Sequence, residues 1–317
     1  MKKILILGGF GFLGKNINKV FVGDERYNVV NESRRTGCDL LNLLDLIFKL
    51  KIIQPDIIIY AAAKVGSINY VTSHAAEVIQ ENSQMYLNLY KAVSKVNKGI
   101  QIINIISNCS YPGIINVQEE ELWWSGEIHP SVESYGMSKK LGFILSECYR
   151  KQYGIKTLNL IVSNAYGEDD YFGVEKLHAM NGIIMRMVEA QRKGDKIFTV
   201  WGTGLPVREW VYMPDVGRLL KYIIEKEYYT LPNPINVGQE QGISILELVN
   251  KVKDIMKYHV KIVCDVTKQD GAPMKVLGSK LFKTYFPDFR FTGYEEGIRN
   301  TIKYYQNGTK ATHIPMA

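Results

Sequence analysis

What the chain has little of sets the first limits. It has four cysteines in 317 residues. Cys38, Cys109, Cys148 and Cys264 are far apart and form no CxxC pair. Neither a zinc site nor a disulfide framework is encoded, no metal is expected, and a reducing, cytoplasmic setting fits. No apolar stretch approaches the roughly 20 residues needed to cross a bilayer. The apolar run after Met1-Lys2-Lys3 is interrupted by Gly8, Gly9, Gly11 and Gly14, and no small-residue cleavage pattern follows it. No dense Lys/Arg run is present: 39 basic residues are scattered among 32 acidic ones. That pattern argues against a nucleic-acid surface. The net charge of +7 points instead to anionic small molecules. Internal repeats and low-complexity linkers are also missing. In a cytoplasmic chain the sequon Asn307-Gly308-Thr309 carries no meaning.

What is present is a regular alternation. A 46% hydrophobic composition supports a sizeable core, in one large or two unequal domains. Ile4–Leu7 reads as a strand, followed by a GxxGxxG loop and a helix to about Val22. Tyr27–Asn31 reads as a second strand ending at Glu32, Leu43–Lys51 as a helix, and Ile57–Tyr60 as a third strand running into Ala61-Ala62-Ala63-Lys64-Val65-Gly66. A long helix over Ala75–Val96, a strand over Gln101–Ile106 ending at Ser107, a helix from Tyr135 to about Gln152 and a strand over Thr157–Val162 follow. Strands alternating with helices predict an α/β, Rossmann-type, doubly wound parallel sheet.

Beyond residue 167 the pattern loosens. Val174–Arg192 reads as a helix carrying His178 and Arg186, Phe198–Trp201 as a strand, and Asp215 as a cap for a helix to Glu225. Ser244 and Glu247 have the spacing of a capping box for a helix over Ile245–Met256. Lys261–Cys264 reads as a strand, Asp270–Lys275 as a loop, and the last helix lies near Tyr294–Tyr305. The expected division is a dinucleotide-binding domain over 1–167, with 207–238 returning to it. A smaller C-terminal α/β substrate domain covers 168–206 and 239–307, and 308–317 form a tail.

The chemistry lies at strand ends. In a strand–loop–helix setting, Gly8, Gly11 and Gly14, with Phe12 and Leu13 between them, let a pyrophosphate approach the first N–H groups of a helix. Glu32 stands 18 residues after Gly14, where a dinucleotide-binding unit carries the acid for the adenosine ribose hydroxyls. Arg34 and Arg35 follow at once and suit a 2′-phosphate. The carboxylate favours NAD and leaves NADP as the alternative. Ala61, Ala62 and Ala63 let the backbone lie against the cofactor. Tyr135 and Lys139, four apart, share one helix face. The ammonium is expected to lower the phenol pKa, so that Tyr135 exchanges a proton with an alcohol or carbonyl while Ser107 hydrogen-bonds the same oxygen.

Together these features resemble the extended short-chain dehydrogenase/reductase family of nucleotide-sugar enzymes, also described as NAD-dependent epimerases and dehydratases. The resemblance covers nearly the whole chain. It is strongest to the branch that epimerises at C3 and C5 and reduces at C4 of GDP-4-keto-6-deoxymannose. The matching pieces are Ala61–Gly66, Ser107–Pro112, Tyr135–Lys139, Trp201–Arg208 and Asp270–Lys275. The resemblance implies that Ser107, Tyr135 and Lys139 carry reduction, and that Cys109 and His178 act as base and acid in epimerisation. It implies cofactor contacts at Val162 and Asn164, and substrate contacts at Lys64, Val65, Asn108, Asn164, His178, Arg186, Trp201, Arg208 and Lys275. It implies a GDP-sugar partner in surface-polysaccharide biosynthesis, and a homodimer through the two long helices. Two other readings stay open: an NAD-dependent 4-dehydrogenase of a GDP-hexose or GDP-heptose without epimerisation, and a 4-epimerase with tightly held NAD. A 4,6-dehydratase would carry an Asp-Glu pair where Asn108-Cys109 stands.

Overall fold

The computed structural model describes residues 1–170, 177–227, 231–268 and 270–308. The expected start of a helix at Val174, and the part of the tail beyond Gly308 with Thr309 of the sequon, lie outside the described residues. The first half alternates as the apolar runs dictate: β1 (Lys2–Leu7), α1 (Phe12–Lys19), β2 (Tyr27–Glu32), α2 (Leu43–Ile53), β3 (Ile57–Tyr60), α3 (Ile68–Ser73), α4 (Ala75–Val96), β4 (Gln101–Ser107), α5 (Glu133–Tyr153) and β5 (Thr157–Val162). The second half carries β6 (Asn164–Tyr166), α6 (Ala179–Lys193), β7 (Ile197–Trp201), β8 (Val207–Tyr212), α7 (Met213–Glu225), β9 (Ile235–Val237), β10 (Gly242–Ser244), α8 (Ile245–Ile255), β11 (Lys261–Asp265), β12 (Met274–Lys275), α9 (Lys280–Tyr285) and α10 (Tyr294–Gly308).

Six strands form one sheet in the order β2-β1-β3-β4-β5-β9, with every pair parallel. The fold is the doubly wound α/β architecture. Its strands are apolar on both faces because helices cover both. Ile4, Ile6, Ile57, Ile59, Ile103 and Ile105 face the layer of α1 and α7, while Leu5, Leu7, Ile58, Tyr60 and Ile102 face α2 and α4. A smaller sheet orders β10-β8-β12, with β6 also on β8, and β11 pairs with β7. A separate apolar cluster of α6, β7, β8, α8 and α10 packs there, including Met180, Ile184, Phe198, Trp210, Leu248 and Ile302.

Some local expectations change. The first helix ends at Lys19 rather than Val22, because Val20–Val22 turn away before Gly23 at φ +78°. Asp215 is not a cap. α7 begins at Met213 with Pro214 in its first turn. Asp215 is buried and accepts bonds from the Thr292 N–H (2.6 Å), the Thr292 hydroxyl (2.8 Å) and Arg218 (2.6 Å). The Asp270–Lys275 segment is not all loop, since Met274–Lys275 pair with Val207–Arg208. The capping box holds: the Glu247 N–H donates to Ser244 Oγ and the Ser244 N–H to Glu247 Oε2. Gly142 on α5 lies against the Tyr86 ring of α4, where an added Cβ would meet Tyr86 Cζ at 2.6 Å.

Candidate active site

The ends of β1, β3, β4 and β5 lie side by side in register, so the loops that follow them share one edge of the sheet. Such carboxyl ends are where doubly wound sheets hold ligands. After β1, Gly8 adopts φ +87°, and an added Cβ would come within 2.8 Å of the Ala62 backbone. The glycine loop and the Ala61–Ala63 segment are therefore in contact. Gly11 is the N-cap of α1, with Phe12, Leu13 and Gly14 in the first turn, and no side chain caps it. Its free N–H groups, with no acid in that turn, form a cradle that fits a dinucleotide pyrophosphate.

The end of β2 differs from the sequence expectation. Glu32 is buried, at 6% exposure. One carboxylate oxygen accepts from Lys49 Nζ at 2.9 Å and the other from the Thr36 hydroxyl. Lys49 also donates to the Thr36 carbonyl at 2.7 Å. The acid is clamped against α2 and compensated in charge. Its neighbours Arg34 and Arg35 are exposed.

After β4, Ser107 caps a single 3-10 turn of Asn108–Ser110, its Oγ accepting from the Cys109 N–H at 3.2 Å. Asn108 is 1% exposed, and neither of its amide atoms has a partner among the described residues. A buried amide without partners is a polar group waiting for a ligand or water. The N-terminal turns of α5 pack on this turn, where a Cβ on Gly136 would lie 2.6 Å from the Cys109 carbonyl. Tyr135 thereby clusters with Cys109, Val65, Val71 and Val78.

Tyr135 and Lys139 do share a face, with Nζ 5.4 Å from the Tyr135 ring centroid. Their acid–base relation is the reverse of the expected one. Burial, with the Cys109 charge adding to it, pushes the Tyr135 phenol well above its usual value. Burial pushes Lys139 down to about 7. The ammonium donates to Tyr86 OH at 3.1 Å and to the Ile105 carbonyl at 3.2 Å. Desolvation is the leading cause for both groups.

Cys109 behaves oppositely. Its burial would raise it, but Lys275, the Ser107 hydrogen bond and Arg208 together hold the thiol below its usual range. Lys275 Nζ lies 3.5 Å from Sγ. β12 brings Lys275 beside Arg208, and burial lowers Arg208. His129, which sequence reasoning missed, faces the same cations. Burial and then the charges of Lys275 and Arg208 lower its imidazole. Its only sequence signal is Pro130, which opens the 3-10 turn His129 caps.

The other candidates spread around this centre. His178 is the N-cap residue of α6, not part of the helix. Its Nδ1 lies 3.0 Å from buried Asp170, and its ring 5.0 Å from Phe12 of the glycine loop. Arg186 stacks on Trp201, 4.8 Å from the ring centroid, and donates to the Thr199 carbonyl. Asn164 Nδ2 donates to the Glu209 carbonyl at 2.7 Å, and Val162 ends β5 beside Val237. The Lys64 ammonium pairs with Glu81, while Asn82 holds the Lys64 backbone at both N–H and C=O, each at 2.9 Å.

A parallel sheet with a glycine cradle, a strand-end serine and a Tyr–x–x–x–Lys pair defines the nicotinamide-dependent short-chain class. Residues 4–238 match the NAD dependent epimerase/dehydratase family, and the chain belongs to it. It is similar to the GDP-L-fucose synthase of Sinorhizobium fredii, 30% identical over 282 residues, 88% of each chain. A Naegleria fowleri GDP-L-fucose synthetase bound to NADP superposes with a TM-score of 0.85 at 24% identity, covering 98% of this chain and 95% of that one. A GDP-6-OMe-4-keto-L-xylo-heptose reductase from Campylobacter jejuni superposes at 0.86 and 20% identity, covering 97% and 98%. At these identities the two structures speak for the fold. No helix among the described residues is long and apolar enough to cross a membrane.

Proposed function

We propose that the chain reduces C4 of a GDP-linked 4-keto sugar, with Tyr135 as proton donor, and epimerises the neighbouring C3 and C5 positions through Cys109. The names of the relatives support the substrate class. The observation that carries the reading is the divided acid–base behaviour of the site. A phenol kept protonated at neutral pH suits giving a proton to the oxygen that becomes an alkoxide as hydride reaches its carbon. A thiol held low suits removing the C–H protons that a 4-keto group acidifies.

The nicotinamide cofactor supplies the hydride when bound. The uncapped start of α1 holds its pyrophosphate, Ala61–Ala63, Val162 and Asn164 line its path, and Lys139 orients its ribose. With Glu32 compensated and Arg34 and Arg35 exposed, NADP(H) fits the end of β2 at least as well as NAD(H). Ser107 donates to the substrate C4 oxygen. Arg208, Arg186 stacked on Trp201, and Lys275 hold the diphosphate and sugar, with Lys64, Val65 and Asn108 beside them. His178, its Nδ1 turned to Asp170, offers Nε2 as the returning acid. The cofactor side lies on 1–167, to which β9 returns, and the substrate lies between Ser107, Cys109 and Tyr135 of that side and the smaller sheet, which β8 joins within the expected 207–238. The reading includes a cytoplasmic homodimer serving surface-polysaccharide synthesis. Exposed Ile79 and Leu87 on α4, with Met137 and Ile144 on α5, support that pairing.

Tyr135→Phe tests the core of this reading. It is expected to lower NADPH-dependent reduction of a GDP-4-keto sugar by about 10² to 10⁴-fold while leaving the fold unchanged by circular dichroism. Turnover close to wild type would overturn it.

A further inference from the structure

Between their polar end residues Gln101, Ser107 and Thr157, strands β4 and β5 are apolar except at one row. Tyr60 pairs with Asn104, and Asn104 with Asn159, across β3, β4 and β5. All three side chains are buried, at 1%, 0% and 0% exposure. Asparagine in the middle of two buried strands opposes folding unless every polar atom finds a partner.

Here the partners form a one-way chain. Lys139 Nζ donates to Tyr86 OH at 3.1 Å, and Tyr86 OH donates to Asn104 Oδ1 at 2.9 Å. Asn104 Nδ2 donates to Asn159 Oδ1 at 2.7 Å, and Asn159 Nδ2 to Ser146 Oγ at 3.0 Å. The Ser146 hydroxyl ends the chain on the Phe143 carbonyl at 2.7 Å. Because each hydrogen is committed away from Lys139, the Tyr86 oxygen turns a lone pair toward the ammonium. Lys139 is 3% exposed. β3 presents the Tyr60 ring to it at 5.9 Å, α4 the Tyr86 ring at 5.3 Å, α5 the Tyr135 ring at 5.4 Å, and β4 the Ile105 carbonyl. None of these groups carries a negative charge at neutral pH. Tyr86 is the one side-chain acceptor of the ammonium among the described residues.

We propose that Tyr86, backed by Asn104, Asn159 and Ser146, is a positioning chain that fixes the orientation and the charged state of Lys139. It stabilises the ammonium through an oriented lone pair, with no carboxylate bonded to it among the described residues, and it loops through α4, β4 and β5 back to Ser146 on the helix that carries the lysine. The inference rests on reading Tyr135 and Lys139 as the hydride-step pair.

The test is Tyr86→Phe, which removes one hydroxyl. Without that acceptor the ammonium is lost at lower pH. The alkaline limb of the kcat/KM profile is expected to move down by about one pH unit, a tenfold loss above the limb, with near-normal rate restored at pH 6. Calorimetry of NADPH binding at pH 7.5 in two buffers of different ionisation enthalpy is expected to show larger proton uptake than in the wild type. A loss equal at every pH, or an unmoved limb with unchanged uptake, would overturn the proposal. The paired Asn104→Leu and Asn159→Leu variant keeps Tyr86 and frees its hydroxyl to rotate. It is expected to move the limb in the same direction by less, and an unmoved limb there overturns the part given to the asparagines. If Tyr135→Phe still reduces substrate, the parent reading fails. If Tyr135 is essential and the Tyr86→Phe limb stays in place, only this inference fails.

Discussion

Tyr135 and Cys109 meet in one apolar cluster, the first buried and the second half-buried, yet burial governs one and is overruled in the other. Tyr135 is pushed up by burial and then by the Cys109 charge, while Lys139 on the same helix face spends its hydrogen bonds on Tyr86 and Ile105. Cys109 is held down because Lys275 points at its sulfur and Arg208 stands behind. One cluster thus holds a proton donor beside a proton acceptor. What turns Cys109 the other way is the pair of cations aimed at it.

The contrast can be broken from its charged side first. Cys109→Ser is expected to abolish solvent deuterium incorporation at C3 and C5 of the sugar while NADPH oxidation persists. Incorporation at the wild-type rate would remove the thiol from the chemistry, and none in the wild type would leave a C4 reductase without epimerisation. Lys275→Met removes the cation at 3.5 Å, so burial should dominate Cys109 as it does Tyr135. Alkylation of Cys109 by iodoacetamide at pH 7 should then slow by about tenfold, following the thiolate fraction. An unchanged rate would assign the low thiol to Ser107 and Arg208 alone. A smaller effect is expected at the cofactor end. Lys49→Met frees the Glu32 carboxylate and should weaken NADPH relative to NADH by about threefold to tenfold in fluorescence titrations, through like-charge repulsion. Equal weakening of both cofactors would mean that Lys49 only supports the loop.

Much of the fold was legible because periodicity and turn chemistry are local. The buried strands read as mainly apolar runs and α4 as a helical period, and the limits of β3, α4 and β5 coincide with those patterns. The capping box at Ser244 was visible for the same reason. Short elements were not: α3 and α9 span six residues each, too few to show a helical period, and β12 exists only through its pairing with β8. At the site, Ser107, Tyr135 and Lys139 were readable from spacing. The Lys49 clamp on Glu32 spans 17 residues and the Lys275 contact with Cys109 spans 166, so sequence proximity gave no sign of either. Sequence reasoning expected Lys139 to lower Tyr135, because a pair on one helix face says nothing about which way the ammonium turns. Asn104 and Asn159 interrupt apolar strands, and only the register of β4 on β5 shows that they are bonded to each other.

Gly142 gives the α4–α5 contact a further meaning. With the Tyr86 ring lodged against its bare backbone, the two helices have a notch and a tooth. Sliding one past the other by a single residue would set the ring against a neighbouring side chain and stop. The pitch of α5 along α4 is therefore indexed, and with it the height at which Tyr135 stands over the Ser107 strand tip. A substitution as small as Gly142→Ala would jam that index about a turn away from Lys139, retuning the centre from a position that touches none of the reacting groups.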